Sequence, residues 1–213
     1  MAYFTGPNIV TDGLVFAYDA GSQRSYTGSG TTVTDLISSS TGDLENGVSF
    51  STDNGGNWDF DGVDQYIDVG INCPAGSFSL SSWVYKEGTG GWYAIFSAGL
   101  EIWFGLNSGG LILAHVGGPS FQVSGAVSIN AWHNCTLTWD GTTGRIYVDG
   151  VQVTSSTSPN NPVATSFDIG KLSTSSHNYF NGKISNVLLY GAKVLTAAEV
   201  TQNFNAQKSR FGL

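Results

Sequence analysis

The chain has 213 residues, a formal net charge of −8, only 11% charged residues and 29 glycines. The eight basic residues are scattered, so the clustered positive charge that nucleic-acid binding requires is missing, and no apolar run is long enough to span a membrane. This length suits one all-β domain, and the abundance of glycine indicates many short strands joined by tight turns.

Residues 1–13 are predicted to form an extended arm that ends in an Asp12-Gly13 turn, before a single domain over residues 14–213. The arm carries Tyr3 and Phe4, which a free terminus would expose to water. We expect it to pack on a neighbouring copy or a larger particle, where aromatic anchors often dominate binding. The alternative is that it folds back on its own domain. It lacks the positive and apolar regions of a secretory signal, so we expect synthesis and assembly in the cytoplasm.

The first half of the chain is predicted to consist of short strands separated by turns. In residues 65–69, Tyr66 and Asp68 alternate with Ile67 and Val69, which is typical of a strand with one buried face. The predicted elements are, in order, a strand over 14–19, a loop over 20–34, strands over 47–50 and 57–60, a turn at Asp61-Gly62 and the strand over 65–69.

The second half is predicted to be built around an antiparallel meander over residues 132–153. Its first strand alternates Cys135, Leu137 and Trp139 with polar residues, which predicts one dry face and one polar face. The other predicted elements are a central strand over 78–85, a strand over 92–97, a hairpin over 101–106 and 111–116, and a polar loop over 154–162. Cys73 and Cys135 are expected to be unpaired thiols.

The one predicted helix lies near the end of the chain. Thr196 and Glu199 have the spacing of a capping box, in which each side chain bonds the backbone amide of the other residue. Leu195 and Val200 flank the box at the positions of a hydrophobic staple, and Phe204 follows one turn later on the same face.

Five segments, in this order, resemble the laminin-G-like, concanavalin-A-like jelly-roll family. They are FSLSSWVY at 78–85, WHNCTLTWDGTTGRIYVDG at 132–150, FDIG at 167–170, FNGKISNVLLY at 180–190 and LTAAEV at 195–200. The resemblance implies an all-β fold, a two-sheet antiparallel β-sandwich with a short C-terminal helix.

Both ends of the chain resemble laminin-G-like proteins encoded by tailed bacteriophages, particularly phages of marine bacteria. The matching stretches are TDGLVFAYDAGSQRSYTGSGTTVTDL at 11–36 and AAEVTQNFNAQKSRFGL at 197–213. The resemblance departs at residues 33–36, where that group often has Trp-Tyr-Asp-Leu and this chain has Val-Thr-Asp-Leu. It implies a non-enzymatic structural protein on the virion surface, a capsid decoration, fibre or tail-associated module, acting as a symmetric oligomer with itself or other virion proteins. The alternative is a carbohydrate-binding lectin or adhesin that recognises host-surface glycans and is not tied to a virion.

Catalytic motifs are missing from the sequence. A retaining glycosidase needs two carboxyl groups about 5 Å apart, and none of the four glutamates (Glu45, Glu87, Glu101 and Glu199) is followed by a carboxylate two or three residues later. His115, His133 and His177 are far apart in sequence and lack metal-ligand spacing. We therefore expect no enzymatic activity.

Two kinds of binding residue stand out. Asp59, Asp61 and Asp64 crowd one stretch and are candidate calcium ligands, although the spacing is not that of an EF-hand; the simpler interpretation is that Asp61 serves a turn and the others are solvated. Candidate sugar-stacking rings follow loops or lie opposite an apolar strand face, and the alternative for each is core packing. These rings are Trp92, Tyr93, Trp103 and Tyr179.

Overall fold

A computed structural model describes residues 7–88, 91–99, 101–107, 109–118, 120–123, 125–157, 161–163, 165–173 and 178–213. Tyr3, Phe4 and His177 therefore lie outside the described residues, so the expectation that the arm packs on a neighbour stays a prediction. Within the described parts of the chain, no helix is long and apolar enough to cross a membrane.

The chain forms two antiparallel sheets packed as a sandwich, which confirms the predicted fold class. The alternation of apolar and polar residues sets each strand, and glycine or Asx turns separate the strands. The strands are β1 (Leu14–Asp19), β2 (Thr32–Thr34), β3 (Thr41–Glu45), β4 (Ser49–Ser51), β5 (Asn57–Asp61), β6 (Tyr66–Cys73), β7 (Phe78–Lys86), β8 (Trp92–Ala98), β9 (Ile102–Asn107), β10 (Ile112–Val116), β11 (Phe121–Val123), β12 (Trp132–Trp139), β13 (Thr143–Val148), β14 (Val151–Thr157), β15 (Thr165–Ile169) and β16 (Asn181–Gly191).

Each sheet has eight strands. Sheet 1 has the order β14-β13-β12-β7-β16-β5-β4, and β1 also pairs with β16. The long strand β16 pairs with β5 through its first residues and with β1 through its last. Sheet 2 has the order β11-β10-β9-β8-β15-β6-β3-β2. Both sheets combine consecutive strands with strands from distant parts of the sequence, such as β7 beside β16 and β8 beside β15, so local and long-range pairing together position the surfaces described below.

The main core lies between the two sheets and takes one face of each strand. Ile67 and Val69 of β6 and Phe78, Leu80 and Val84 of β7 point into it, as the alternation predicts. Cys73 and Cys135 are buried, unpaired thiols. Burial raises the pKa of the Cys73 thiol to about 12, so at neutral pH it remains a protonated, apolar filler of the core.

The outer face of sheet 1 is covered by the C-terminal helix α1 (Ala197–Gln207) and the 3-10 turn Lys208–Phe211 that follows it. The predicted capping box is present at Thr196 and Glu199. Beyond the helix, the ring of Phe211 stacks on Trp83 with centroids 4.1 Å apart and packs against Trp132 at 4.8 Å.

The structure corrects the prediction that one face of β12 is polar and exposed. The face that alternation predicts to be polar carries Asn134, Thr136 and Thr138, and all three are buried. The Asn134 amide and the Thr136 hydroxyl donate to the Ser81 hydroxyl, at 3.2 and 2.9 Å. Hydrogen bonding of this kind makes burial of a polar strand face tolerable.

The described part of the N-terminal arm lies against the same helix. Val10 is buried; its amide donates to the Asn203 side chain at 2.8 Å, and its carbonyl accepts from the Tyr190 hydroxyl at 2.9 Å. The Gln202 amide donates to the Asn8 carbonyl at 2.8 Å. From residue 8 onward, the predicted arm therefore folds back on its own domain.

Candidate functional site

The outer face of sheet 2 displays side chains that the helix does not approach. Pairing register aligns seven outward residues in one row perpendicular to the strands, running from β2 to β10. In spatial order they are Thr32, Asp43, Asp68, Asp168, Ser97, Trp103 and His115. Adjacent strands lie about 4.8 Å apart, so the row spans roughly 29 Å across the sheet, which is long enough for an extended ligand.

Trp92 and Trp103 form an aromatic pair on this face, across strands β8 and β9. Their ring centroids are 5.6 Å apart and their planes meet at 63°. Trp92 is 39% exposed. Gly105 makes room for the Trp103 indole, because a Cβ at Gly105 would lie 3.1 Å from Trp103 Nε1 and 2.3 Å from the Tyr93 carbonyl oxygen. The two tryptophans proposed from the sequence are thus brought together, through the pairing of β8 with β9.

A second aromatic pair lies on the same face, at β6 and beside the end of β15. The rings of Tyr66 and Tyr179 have centroids 6.4 Å apart, and Lys171 Nζ lies 4.0 Å from the Tyr66 centroid. Lys171 also forms an isolated bridge with Tyr179. Strand alternation predicts Tyr66 on the outward face of β6, but it does not connect Tyr66 with Tyr179, because that contact depends on long-range pairing.

The segment between the two aromatic pairs is held by serine hydroxyls. Ser97 is fully buried, and its Oγ donates to the Lys171 carbonyl at 2.8 Å and accepts from the Ser173 amide at 2.8 Å. The Ser173 hydroxyl lies 2.6 Å from Ser97 Oγ. These bonds fix the chain that follows β15 over the middle of the face, and with it the position of Lys171.

Asp168 sits in this middle region with an altered pKa. Burial raises the pKa of its carboxyl above the ordinary value, and the charge of the neighbouring Asp68 raises it further. The Ser173 hydroxyl and Lys171 lower it in part. The carboxylates on this face are therefore close enough to affect one another electrostatically.

Tyr93 does not belong to this surface, which corrects its proposed role as a sugar platform. Its side chain is 7% exposed and points into the core, where its ring lies 6.5 Å from Phe180 and 5.2 Å from the buried Lys86 ammonium. The physical reason is strand alternation: Trp92 takes the outward position in β8, so Tyr93 turns inward.

The proposed calcium ligands are not brought together. Asp59 forms an ion pair with Lys183 at 3.1 Å. Asp61 Oδ1 accepts from the Val63 amide at 2.8 Å, as expected of a turn residue, and Asp64 is exposed. Over the described residues, no group of three or more His, Cys, Asp or Glu side chains is placed to hold a metal ion. The three aspartates do not form a calcium site, and calcium binding by the protein stays an untested prediction.

A cleft between the β1–β2 and β4–β5 loops is a second candidate location for a ligand, with a volume of about 460 Å³. Close glycine contacts build it, because a Cβ at Gly21 would lie 1.9 Å from the Gly55 carbonyl oxygen. The lining residues are Ala20, Gly21, Gln23, Tyr26, Thr27, Gly28, Phe50, Thr52, Gly55 and Gly56. The cleft lies outside the residues proposed from the sequence.

Comparison with known families and structures gives consistent results. The model of a laminin G family, described as "Concanavalin A-like lectin/glucanases superfamily", matches residues 60–201. Domain 4 of AbnA, a GH43 extracellular arabinanase from Geobacillus stearothermophilus solved with arabinotriose, matches with a TM-score of 0.71 and 16% identity, over 90% of this chain and 98% of that one. Comparison with curated proteins found no match.

Two other solved structures match over a part of their length. Trypanosoma rangeli sialidase, solved with sialic acid, matches with a TM-score of 0.72 and 18% identity over 95% of this chain but 34% of that one. The botulinum neurotoxin type G receptor binding domain matches with a TM-score of 0.70 and 16% identity over 92% of this chain and 52% of that one. At these identities the likenesses show the fold alone.

Proposed function

Because the chain belongs to the concanavalin A-like lectin and glucanase superfamily, we propose that it is a non-enzymatic carbohydrate-binding protein that holds a glycan on the outer face of sheet 2. The observation that carries the proposal is the Trp92–Trp103 pair, with centroids 5.6 Å apart on an exposed sheet face. The arabinanase domain lends support, since it is similar in fold over 98% of its length and was solved with arabinotriose.

The chemistry of the face suits a sugar. A pyranose or furanose ring presents C–H groups that pack on an aromatic ring and hydroxyl groups that need hydrogen-bond partners, and binding sites combine apolar surface with a few placed polar groups. Here Trp92 and Trp103 supply the apolar surface, and Asp68, which lies in the same row as Trp103, supplies an exposed hydrogen-bond acceptor. Ser97 and Ser173 hold the intervening segment in place before any ligand arrives.

Substitution at the face and at the cleft separates the two possible locations. Trp92→Ala and Trp103→Ala are expected to weaken binding of a neutral oligosaccharide at least tenfold by titration calorimetry. Phe50→Ala, an aromatic substitution in the cleft, is the matched control and is expected to leave binding unchanged. Loss of binding in Phe50→Ala, with full binding in both tryptophan variants, would move the site to the cleft.

The proposal that the protein is not an enzyme is supported by what its carboxylates already bind. Glu199 caps the helix and pairs with Lys193 at 2.7 Å, and Glu87 pairs with Lys183. We expect no release of reducing ends from a polysaccharide panel. Sustained release that disappears in Asp168→Asn, a substitution at the pair formed by Asp68 and Asp168, would show instead that the face hydrolyses its ligand.

A finer proposal is that the protein is displayed on a phage particle as a symmetric oligomer, where it adheres to host-surface glycans. Its support is the sequence resemblance of residues 11–36 and 197–213 to phage laminin-G-like proteins. Light scattering of the purified protein and mass spectrometry of purified particles test it directly. Deleting residues 1–6 is expected to weaken assembly while leaving the contacts of Val10 intact. A strict monomer that is absent from particles would leave a glycan-binding module with no tie to a virion.

A further inference from the structure

The charge on sheet 2 is one-sided. Its strands contain Asp43, Glu45, Asp68 and Asp168, and as described they contain no lysine or arginine. All four carboxylates lie on the outer face, because Leu44, Ile67, Val69, Phe167 and Ile169 take the inward positions of the same strands. A glycan that crosses this face therefore meets negative charge over three strands.

Of the described basic side chains, Lys171 is the one whose ammonium lies on this face, over the ring of Tyr66. The other described lysines and arginines have partners on other elements or lie in other loops. Lys183, for example, pairs with Asp59 and Glu87, and Arg145 pairs with Asp140 at 2.8 Å. One cation among four carboxylates leaves the face with a net negative charge.

Building on the proposed function, we infer from this arrangement that the glycan bound by sheet 2 is uncharged and extends across the strands. The row of Asp43, Asp68 and Asp168 places carboxylate acceptors on three successive strands, about 4.8 Å apart. Hydroxyl groups that donate to carboxylates form short, charge-assisted hydrogen bonds. An acidic sugar would bring a further negative charge to the same row and would be repelled.

The two aromatic pairs define the course of the ligand. Trp92 and Trp103 lie on β8 and β9, and Tyr66 lies on β6, separated from β8 by β15. The carbonyl of Ile95 in β8 accepts from the Gly170 amide at 3.0 Å, and Lys171, the next residue, contacts Tyr66. A linear glycan that leaves the tryptophans therefore crosses β15 and reaches Tyr66 and Tyr179. Two stacking positions with the Asp168 carboxylate on the strand between them fit an oligosaccharide better than a single sugar ring.

A glycan array of neutral, sialylated and uronic acid-containing oligosaccharides tests the charge class. Calorimetry on the best neutral ligand and its sialylated or uronic counterpart then gives the ratio of the two affinities. We expect the neutral glycan to bind at least tenfold more tightly, and the ratio to shrink at high salt, because salt screens exposed charges. Asp43→Asn with Asp68→Asn is expected to reduce the ratio severalfold. Asp12→Asn with Asp53→Asn, which removes two exposed charges elsewhere, is the matched control and is expected to leave it unchanged.

Chain length tests the crosswise course. Tyr66→Ala is expected to weaken binding of a neutral hexasaccharide several-fold and to leave binding of a disaccharide unchanged, since a short ligand stays on the tryptophans. An equal effect at both lengths would overturn the crosswise course. Equal or tighter binding of the acidic glycan, still lost in Trp103→Ala, would overturn the charge inference while leaving the proposed function in place. Binding of no glycan on the array would overturn the proposed function itself.

Discussion

The Arg210 guanidinium forms an ion pair with the Asp19 carboxylate, in which Nη1 donates to the two carboxylate oxygens at 2.8 and 3.1 Å. The same guanidinium donates to the carbonyl oxygens of Asn54 and Gly56 at 2.7 and 2.8 Å and to the Ser185 hydroxyl at 2.6 Å. Arg210 therefore ties the C-terminal turn to the end of β1 and to the loop before β5. That loop also forms one wall of the cleft.

Replacing Arg210 with alanine is expected to lower the free energy of unfolding by about 2–4 kcal/mol, because several hydrogen bonds to a charged group are lost at once. Arg210→Lys is expected to keep less than half of that contribution, since a lysine lacks the planar fork that reaches several acceptors. Urea denaturation measures both. Arg24→Ala, at an exposed arginine, is the control and is expected to change stability by less than about 0.5 kcal/mol. Equal stability of Arg210→Ala and the parent would show that the hydrogen bonds of Arg210 contribute nothing to the free energy of unfolding.

Trp132 and Trp92 offer a matched comparison of a packed and an exposed tryptophan. Trp132 is 8% exposed, contacts Phe211, and donates from Nε1 to Asn54 Oδ1 at 3.1 Å. Trp132→Ala is expected to cost about 3–5 kcal/mol. Trp92→Ala is expected to cost less than about 1 kcal/mol, because the ring is already partly in water. Thermal unfolding of the two variants side by side tests the contrast, and similar midpoints for both would contradict it.

Asp140 organises the turn between β12 and β13, and its contribution to stability should depend on pH. Burial alone would raise the pKa of its carboxyl, but hydrogen bonds from Arg145, Thr143 and Thr142 outweigh this and hold the pKa well below its usual range. Because the folded-state pKa is depressed, the stabilisation is fully present above the unfolded value of about 3.9 and is lost as pH falls below it. Asp140→Asn is expected to cost about 1 kcal/mol at pH 7.

The measurement is urea denaturation of Asp140→Asn and the parent at pH 7 and at successively lower pH. The difference in the free energy of unfolding between Asp140→Asn and the parent should narrow once pH falls below the ordinary pKa range of aspartate. Because asparagine keeps an oxygen acceptor for the Thr142 and Thr143 amides, the narrowing reports on the charge. A difference that stays constant down to the lowest pH would show that the carboxylate charge contributes nothing.

Asp168 should behave in the opposite way. Burial, joined by the charge of Asp68, raises the pKa of its carboxyl, so the ionised form is disfavoured in the folded state. The resulting destabilisation is present above the folded-state pKa and disappears as pH falls through that value to the unfolded one. Asp168→Asn is therefore expected to raise the thermal unfolding midpoint at pH 7, with a gain that vanishes in acid. A lower midpoint at pH 7 would mean that the carboxylate is held favourably despite its burial.

Local patterns in the sequence predicted the parts of the fold that depend on neighbouring residues. The alternation in β6 assigned Ile67 and Val69 to the core, and the spacing of Thr196 and Glu199 predicted the capped helix; the structure confirms both. Alternation describes one strand at a time, however. It could not show that the polar face of β12 lies beneath the helix, because the position of the helix on sheet 1 is a matter of tertiary packing.

The sequence predicts only part of the candidate site, because local patterns do not show which strands pair. Trp92 and Trp103 could be proposed separately, but their contact depends on the register of β8 against β9. The glycine-rich loop before Trp92 and Tyr93 predicts exposed rings at both positions, and only the alternation within β8 shows that Tyr93 turns inward. Tyr66 and Lys171 come from segments about a hundred residues apart in sequence, and no local pattern links them.

Residues 8–10 and helix α1 pack together on one side of the sandwich, so the two sides of the domain differ. Both segments lie on the outer side of sheet 1, where the Asn203 and Gln202 side chains bond the backbone of Val10 and Asn8. Sheet 2 therefore faces away from residues 8–10 and from helix α1. A fluorescent protein or a solid support attached after Leu213 should leave the tryptophan face free, and copies anchored side by side in this way would all present that face outward.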